Sequence, residues 1–218
     1  MIESVIFTAL LAGILIAGSG RIDWAEGWIY IVVVSSGPAI TTRMLIRKHP
    51  DLLLERSKLQ RDTKPWDKVL AGLIAIVLPL ALWIVAALDR RHGWSRIPAV
   101  WQAAGFLVIA AAILLVHRAM LENRFFAATV RIQKDRGHSV VSTGPYAYVR
   151  HPGYVGMIAF NLATPIALGT AYAMIPAALC AGVLALRTAL EDRVLRAELP
   201  GYAGYARRVR SRLIPAVW

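Results

Sequence analysis

The residues best suited to chemistry lie in two polar pieces of the C-terminal half, at 122–154 and 187–218. The first piece leads into the string Gly-Pro-Tyr-Ala-Tyr-Val-Arg-His-Pro-Gly-Tyr-Val-Gly at 144–156. Pro152 pushes His151 toward an extended conformation and suits the first turn of a following helix. The unpaired backbone N–H groups of such a helix start can bind a carboxylate or another anion. This string therefore predicts a turn and then a helix start that binds a ligand.

The second piece begins with Arg187 and Glu191, which are four residues apart. This spacing places both side chains on one face of a helix, at the end of an apolar segment, where a charge is costly unless it is paired or faces a polar cavity. The order Arg before Glu is the weaker one for a mutual ion pair. The two residues therefore indicate a ligand site, with anchoring to lipid headgroups as the alternative for Arg187.

The elements that must position these residues are membrane helices. Of the 218 residues, 57% are hydrophobic and 17% charged, against about 45–50% and about 25% in soluble domains. Four apolar stretches approach the ~20 residues that cross a bilayer, at 5–18, 24–42, 69–88 and 99–116. Two shorter stretches, at 154–168 and 172–186, would each reach only about 22 Å. They predict a tight helical hairpin that is extended by flanking residues.

The predicted fold class is all-α, a polytopic integral membrane protein with four long transmembrane helices, a short C-terminal transmembrane hairpin and polar cytoplasmic segments. No repeat or linker divides the sequence, so 1–218 is expected to be one domain, with membrane helices in 1–121 and the ligand-binding part in 122–218. The first four residues include Glu3 and no Lys or Arg, so the first apolar stretch is expected to be a retained span and not a signal peptide. The lone Cys180 excludes an intrachain disulfide and a Cys-based metal site, and no metal is expected.

The distribution of basic residues predicts how the helices are oriented. The formal net charge is +12, and 20 of the 25 Lys and Arg residues lie in the segments 47–68, 118–150 and 187–218. Because cytoplasmic loops hold the excess of Lys and Arg, six crossings with both termini and the active site on the cytoplasmic side are expected, in a bacterial-type inner (plasma) membrane. A nucleic-acid partner is not expected, because the charge follows the loops and not one base-reading surface.

The string at 144–156, the Arg187/Glu191-Asp192 segment and the Tyr202-x-x-Tyr205 tail together resemble the isoprenylcysteine carboxyl methyltransferase family of integral membrane enzymes and its phospholipid methyltransferase relatives. The resemblance extends from about 123 to 215. It implies methyl transfer from S-adenosylmethionine, with S-adenosylhomocysteine as product, to a lipophilic acceptor in the membrane. A carboxylate such as that of an isoprenylcysteine-like molecule is the expected acceptor, and membrane lipids are the expected surroundings.

The resemblance also implies the roles of individual residues. Arg187 and His151 would be catalytic, with Arg187 facing the acceptor, and Glu191 would be the acidic cofactor ligand. The cofactor-binding residues implied in full are Gln133, His138, Ser139, Val140, Val141, Tyr146, His151, Pro152, Gly153, Tyr154 and Glu191. The sequence departs from the family pattern at Asp192, where a second glutamate is usual, and at 199–201, which is one residue shorter.

These residue types suit the chemistry of S-adenosylmethionine, which has a sulfonium, an ammonium, a carboxylate and a flat adenine. Tyr146, Tyr148 and Tyr154 can offer ring faces to the cation or to adenine, worth about 0.5–2 kcal/mol each. A carboxylate acceptor is already ionised at neutral pH, so Arg187 would orient it as a bidentate clamp and no general base is needed. An amine or phenol acceptor would need a proton acceptor, for which His151 has a suitable ordinary pKa.

Several alternatives stay open at the level of sequence. Other acceptors, such as a phospholipid amine or a small thiol, suit the same frame. An NADPH-dependent sterol-type reductase and a non-catalytic membrane scaffold are further hypotheses. The residues at 123–126 either line the pocket or only end a helix, and Tyr202 and Tyr205, with the arginines that follow, are interpreted as an interfacial helix at the headgroups.

Overall fold

The computed structural model describes residues 2–57 and 63–218, and within them it contains helices and no strand. Within these two ranges, eight α-helices follow one another: α1 (Ile2–Ala12, continued by a π-helical turn at Gly13–Ala17), α2 (Ala25–Lys48), α3 (Pro50–Ser57), α4 (Pro65–His92), α5 (Ala99–Glu122), α6 (Pro152–Leu168), α7 (Met174–Glu198) and α8 (Tyr202–Arg208). Helix α4 contains a second π-helical turn at Leu73–Val77. Pro65 and Pro152 stand in the first turns of α4 and α6, where the missing N–H of proline has no partner to lose.

Four of these helices, α2, α4, α5 and α7, are long and apolar enough to cross a membrane, with 24, 28, 24 and 25 residues. Large apolar side chains on their outer faces are exposed, such as Val32, Leu107 and Leu179, as is required where lipid and not water surrounds the protein. The chain is therefore a polytopic, all-helical integral membrane protein, and the predicted fold class is confirmed.

All six predicted apolar segments are helical, but their lengths differ from the prediction. The first segment, predicted as one of the long spans, is a short apolar helix at Val5–Ala17, and Pro152–Leu168 is also short. The last predicted segment, 172–186, belongs to α7, which continues through charged residues to Glu198. Arg187 and Asp192 in this continuation are buried and paired with other parts of the chain, which a count of apolar residues cannot show.

Polar loops gather at the two ends of the helix bundle. At one end, Asp89 accepts hydrogen bonds from Ser95 and from the backbone of Tyr172, which joins the α4–α5 loop to the α6–α7 turn. At the other end, the Lys64 ammonium lies 2.7 Å from the Glu198 carboxylate. This second end brings together the three basic segments predicted from the charge count, of which residues 58–62 lie outside the described part.

Helices α5 and α6 pack closely because small residues line their contact. A Cβ added to Gly156 on α6 would come within 2.6 Å of the Val116 side chain on α5, and one added to Gly105 would lie 2.7 Å from the backbone nitrogen of Ala167. Without a Cβ at these positions the two backbones can approach, which is the usual basis of helix association in membranes. The contact fixes the start of α6, and with it His151, against the end of α5.

The segment between α5 and α6 has little regular structure and covers the end of the bundle that contains the basic loops. It makes short 3₁₀ turns at Lys134–Arg136 and Gly144–Ala147. Gly137 and Gly144 have φ values of +64° and +57°, a conformation that glycine adopts without strain. The backbone turn itself is therefore sufficient reason for glycine at these two positions.

Candidate active site

A cavity of about 410 Å³ lies at this end of the bundle, between the 123–151 segment, residues 71–75 of α4, the start of α6, the C-terminal part of α7, and α8. Eleven of the twelve residues predicted from the sequence line it. They are Gln133, His138, Ser139, Val140, Val141, Tyr146, His151, Gly153, Tyr154, Arg187 and Glu191. Pro152 is absent from the lining and is buried in the first turn of α6. The two polar pieces of the sequence therefore meet around one cavity, as predicted.

Tyr154 and Glu191 form one wall of this cavity. The Tyr154 hydroxyl donates a hydrogen bond of 2.5 Å to Oε2 of Glu191. Among the described residues, Oε1 of Glu191 has no protein partner, so this oxygen can accept a hydrogen bond from a ligand. The Tyr154 ring also lies 5.6 Å from the guanidinium carbon of Arg187, which is a cation–π contact.

The guanidinium of Arg187 forms a two-point ion pair within the protein. Its Nε and Nη2 donate to the carboxylate of Asp67 at 2.7 and 3.1 Å, and Nη2 also donates to the Ala128 carbonyl at 2.8 Å. The flat donor pair predicted to clamp an acceptor therefore faces Asp67. Within the described residues Nη1 makes no hydrogen bond to the protein, which leaves this group for a ligand in the cavity.

Asp67 is a residue of the candidate site that sequence reasoning missed, and it acts there through Arg187. It is fully buried in the first turn of α4, where it also accepts a hydrogen bond of 2.7 Å from the Val130 backbone. A carboxylate at the start of an apolar helix needs a partner, and this was the signal available in the sequence. The signal does not name the partner, because Arg187 is 120 residues away.

His151 stands just before α6 and is almost completely buried. Its Nε2 lies 3.4 Å from Oδ1 of Asp192 and 3.4 Å from the Tyr202 hydroxyl. Its backbone N–H donates to the Arg212 carbonyl at 3.0 Å and so cannot bind an anion, whereas the N–H of Gly153 has no acceptor among the described residues. The start of α6 therefore offers fewer free backbone N–H groups for an anion than the sequence predicted.

Gln133 is buried, with both ends of its amide bonded to the protein. Its nitrogen donates to the Phe125 carbonyl at 2.8 Å, and its oxygen accepts a hydrogen bond from the Arg136 guanidinium. Arg136 in turn forms an ion pair with Asp51. Gln133 therefore fixes the cavity-lining segment in place, and its amide contacts the protein itself.

His138 is held as a neutral side chain on the cavity wall. Burial, with Arg136 and Arg131 nearby, lowers the pKa of its imidazole to about 4. Its Nδ1 accepts a hydrogen bond of 3.3 Å from the Gln133 backbone, and its ring packs 4.6 Å from that of Phe125. A neutral imidazole does not repel a cationic ligand. Residues 139–141 continue along the same wall.

Of the three tyrosines predicted to offer ring faces, two line the cavity and one does not. Tyr146 is buried, and burial raises the pKa of its phenol. Its carbonyl accepts a hydrogen bond of 2.7 Å from the Tyr205 hydroxyl. Tyr148 is 76% exposed and lies outside the cavity. The expectation for Tyr148 was wrong because the 3₁₀ turn at Gly144–Ala147 directs Tyr146 inward and leaves Tyr148 outside.

Further lining residues come from segments to which the sequence assigned other roles. Phe125 and Phe126 line the cavity, which decides between the two interpretations of 123–126. Tyr202 and Tyr205, interpreted as interfacial, are buried and also line it. A pattern of tyrosines and arginines is common to a headgroup-facing helix and to a helix that closes a site, so sequence alone could not distinguish the two.

A second cavity of about 360 Å³ lies among the membrane helices next to the first. Phe7, Val34, Leu82, Trp83 and Phe160 are typical of its mainly apolar wall. The two cavities share three lining residues, Ile74, Ala75 and Met157, of which the first two lie in the π-helical turn of α4. The first cavity, which contains the charged and polar side chains and is called the polar cavity below, is therefore adjacent to a more apolar one.

Comparison with known proteins shows which family part of this sequence is similar to. Residues 101–197 match the profile of the Isoprenylcysteine carboxyl methyltransferase (ICMT) family. The match covers less than half of the chain and shows a similarity of this part to that family. The resemblance inferred from the 144–156 string and from Arg187 and Glu191 is thereby confirmed, because the matched range includes every residue predicted for the site.

Three curated relatives share this part of the sequence, each named protein-S-isoprenylcysteine O-methyltransferase. The Schizosaccharomyces pombe protein is 38% identical over 68 residues, which cover 31% of this chain and 28% of that protein. The Rattus norvegicus and Mus musculus proteins are 31% and 30% identical over 106 residues, which cover 45% of this chain and 37% of each relative. The aligned part therefore spans about a third of the length of these relatives.

The matched segment, residues 101–197, contains most of the residues of the candidate site but not all of them. Helix α4, before the segment, contributes Ile74 and Ala75, and it also contains Asp67, which holds Arg187. Tyr202 and Tyr205, after the segment, close the other side. Among the described residues, no group of three or more His, Cys, Asp or Glu side chains is arranged to hold a metal ion.

Proposed function

We propose that this protein transfers the methyl group of S-adenosylmethionine to the carboxylate of a lipophilic, isoprenylcysteine-like acceptor. The observation that best supports the proposal is the contact between the two cavities at Ile74, Ala75 and Met157. The polar cavity suits a water-soluble cofactor, and the apolar cavity suits the hydrocarbon part of an acceptor that enters from the membrane. Two such different substrates need adjacent sites, one with charged groups and one that is more apolar.

The residues of the polar cavity fit the charges of S-adenosylmethionine. Oε1 of Glu191 can accept a hydrogen bond from the ammonium or the ribose, and the rings of Tyr146 and Tyr154 can face the sulfonium. His138 is neutral and adds no repulsion. The N–H of Gly153 can donate to the cofactor carboxylate.

The reaction needs orientation and the exclusion of water more than it needs acid–base groups. An acceptor carboxylate oxygen displaces the sulfonium at the methyl carbon, so a C–O bond forms, the C–S bond breaks and its electron pair stays on sulfur. No proton moves, since the acceptor is already ionised. Nη1 of Arg187 is the donor that can orient the acceptor, and Asp67 keeps that guanidinium in place. Burial of the site limits competition from water.

We further propose that the polar cavity faces the cytoplasm, in a bacterial-type inner membrane with both chain termini on that side. The support is the gathering of the three basic segments at the cavity end of the bundle, together with the excess of Lys and Arg in cytoplasmic loops. The cofactor would then enter from the cytoplasm and the acceptor from the lipid.

A labelled-methyl assay tests the proposed reaction. The purified protein in lipid nanodiscs is given methyl-labelled S-adenosylmethionine with an S-farnesylated N-acetylcysteine, with its carboxamide analogue, or with phosphatidylethanolamine. Base-labile methyl ester on the free acid alone is the expected result. Label on phosphatidylethanolamine instead would show that the protein methylates a lipid amine. If no acceptor is labelled and NADPH stabilises the protein against unfolding, the reductase hypothesis is favoured.

A pair of glutamate variants tests the site within the same assay. Glu191→Gln is expected to weaken cofactor binding roughly tenfold or more, because it removes the charge that faces the ammonium. Glu198→Gln is the matched control, since Glu198 forms a partly exposed ion pair with Lys64 and does not line the cavity. Equal cofactor affinity in the two variants would contradict the assignment of Glu191.

A further inference from the structure

A second cluster of charged residues, outside the proposed chemistry, surrounds the fully buried carboxylate of Asp192. Its Oδ1 lies 2.7 Å from Nε of Arg150, 3.0 Å from the Tyr202 hydroxyl and 3.4 Å from Nε2 of His151. Its Oδ2 accepts from Arg150, Arg196 and Arg212 at 3.0 to 3.1 Å. A buried carboxylate is stable only with such partners. Asp192 therefore joins three separate parts of the chain at one point.

The C-terminal segment 209–218 is attached to the same point. Nη1 of Arg150 donates to the carbonyls of Val209 and Arg210 at 2.7 and 2.6 Å. The backbone N–H groups of Arg150 and His151 donate to the carbonyls of Ser211 and Arg212, both at 3.0 Å. The residues that precede α6 are thus paired with the tail along their backbone as well as through the Asp192 carboxylate.

Asp192 does not line the cavity, but three of the residues bonded to it do. Arg150, His151 and Tyr202 all belong to the cavity wall. Arg196 does not, and its side chain is 46% exposed on the outer side of the carboxylate. The partners of Asp192 are therefore of two kinds. Most belong to the cavity wall or to the tail, and Arg196 belongs to neither.

We propose that Asp192 is a positioning residue that fixes His151, Tyr202 and the tail 209–218 as one wall of the cofactor cavity. It acts through Arg150 and Arg212 and touches no substrate itself. Without its charge, Arg150 and Arg212 lose their shared ion pair, so hydrogen bonds to backbone carbonyls alone hold the tail against the residues before α6. The wall then loosens, and the cavity no longer holds its ligand in one geometry.

Hydrogen–deuterium exchange and ligand binding together test this proposal. The variants are Asp192→Asn, Asp192→Glu, Arg212→Gln and, as the matched control, Arg196→Gln, all in nanodiscs. Exchange is followed in the peptides covering 148–151 and 209–218, and the Kd for S-adenosylhomocysteine is measured by calorimetry. The control removes a partner of the same carboxylate without touching the tail or the wall.

Asp192→Asn and Arg212→Gln are expected to accelerate exchange in both peptides and to raise the Kd, by roughly tenfold for the aspartate variant. Asp192→Glu should recover part of both losses, and Arg196→Gln should change neither. If Arg212→Gln and Arg196→Gln behave alike, or if only the unfolding temperature of the variants falls, Asp192 is merely structural and the proposal is overturned. If Asp192→Asn does not fold, the two arginine variants still decide.

The binding readout rests on the proposed function, but the exchange readout does not. A wild-type protein that binds no S-adenosylhomocysteine would end the methyltransferase assignment. Exchange in the two peptides would then still show whether Asp192 holds the tail against the residues before α6. The two failures are therefore distinguishable in one set of samples.

Discussion

The guanidinium of Arg187 meets the carboxylate of Asp67 in a two-point ion pair, at 2.7 and 3.1 Å, across 120 residues of sequence. Both side chains are buried. The pair connects the start of α4 to the cavity-lining face of α7, and Asp67 also holds the Val130 backbone. One carboxylate therefore orients the arginine, one membrane helix and the segment that covers the cavity.

Replacing Asp67 by Asn should damage both stability and acceptor binding. The change leaves the Arg187 guanidinium buried without its counter-charge, which costs about 3–5 kcal/mol of unfolding free energy in comparable pairs. The freed guanidinium should also lose its fixed direction, so KM for the acceptor should rise more than the Kd for the cofactor. Unfolding in detergent and steady-state kinetics give the two quantities.

Asp135→Asn is the control for this prediction. Asp135 also pairs with an arginine, Arg131, but its carboxylate is 61% exposed, and exposed pairs contribute about 0–1 kcal/mol. The interpretation of Asp67 would be wrong if both variants lost equally little stability and kept the same acceptor KM.

Replacing Gly153 by Ala should disturb the cavity through Phe126. The added Cβ would come within 2.5 Å of the Phe126 ring, so the ring must move, and Phe126 lines the cavity. We expect a loss of about 1–3 kcal/mol in stability, as for other overpacked sites, together with weaker cofactor binding. Gly182→Ala is the control, because its Cβ would meet nothing within 4 Å. Unchanged cofactor affinity in Gly153→Ala would show that Phe126 does not shape the binding site.

Replacing Ala75 by Leu should weaken the binding of the proposed acceptor more than that of the proposed cofactor. Ala75 lines both cavities, so a larger side chain there takes up space at the wall that they share. The KM for a farnesylated acceptor should rise severalfold while the cofactor Kd stays within about twofold, since Ala75 adds no polar contact. Ile76→Leu, on an exposed part of the same turn, is the matched control. Equal changes in acceptor KM and cofactor Kd would contradict a division of the substrates between the two cavities.

Much of the fold and most of the site could be predicted from the sequence. Apolar runs are local features, and all six that the sequence predicted are helical, although only four of the helices are long and apolar enough to cross a membrane. The 144–156 string and the Arg187/Glu191 spacing predicted residues that meet at one cavity, because each lies next to a helix start or on one helix face. Gln133 was also placed at the cavity, although its amide is bonded to the protein on both ends.

The remaining features depend on contacts between distant parts of the chain. Nothing near Asp67 in the sequence names Arg187 as its partner, and nothing near Asp192 predicts that Arg150 and Arg212 reach the same carboxylate. The position of Tyr202 at the cavity has the same cause, since α8 is placed there by its packing and not by its own sequence pattern. The fold, and not the local sequence, determines which buried charged residues pair with each other.

The buried neutral state of His138 predicts how stability depends on pH. Its pKa falls from about 6.5 in an unfolded chain to about 4 in the fold, chiefly because burial disfavours the charged imidazole. Between these two pH values the unfolded state binds more protons than the folded state. The contribution of His138 to the free energy of unfolding is therefore complete above pH 6.5 and is lost as the pH falls toward 4. His138→Gln should therefore flatten the fall of Tm between pH 6.5 and pH 4, whereas His92→Gln, an exposed histidine at the other end of the bundle, should leave the slope unchanged. Parallel Tm curves for the wild type and His138→Gln would show that the imidazole is not held neutral.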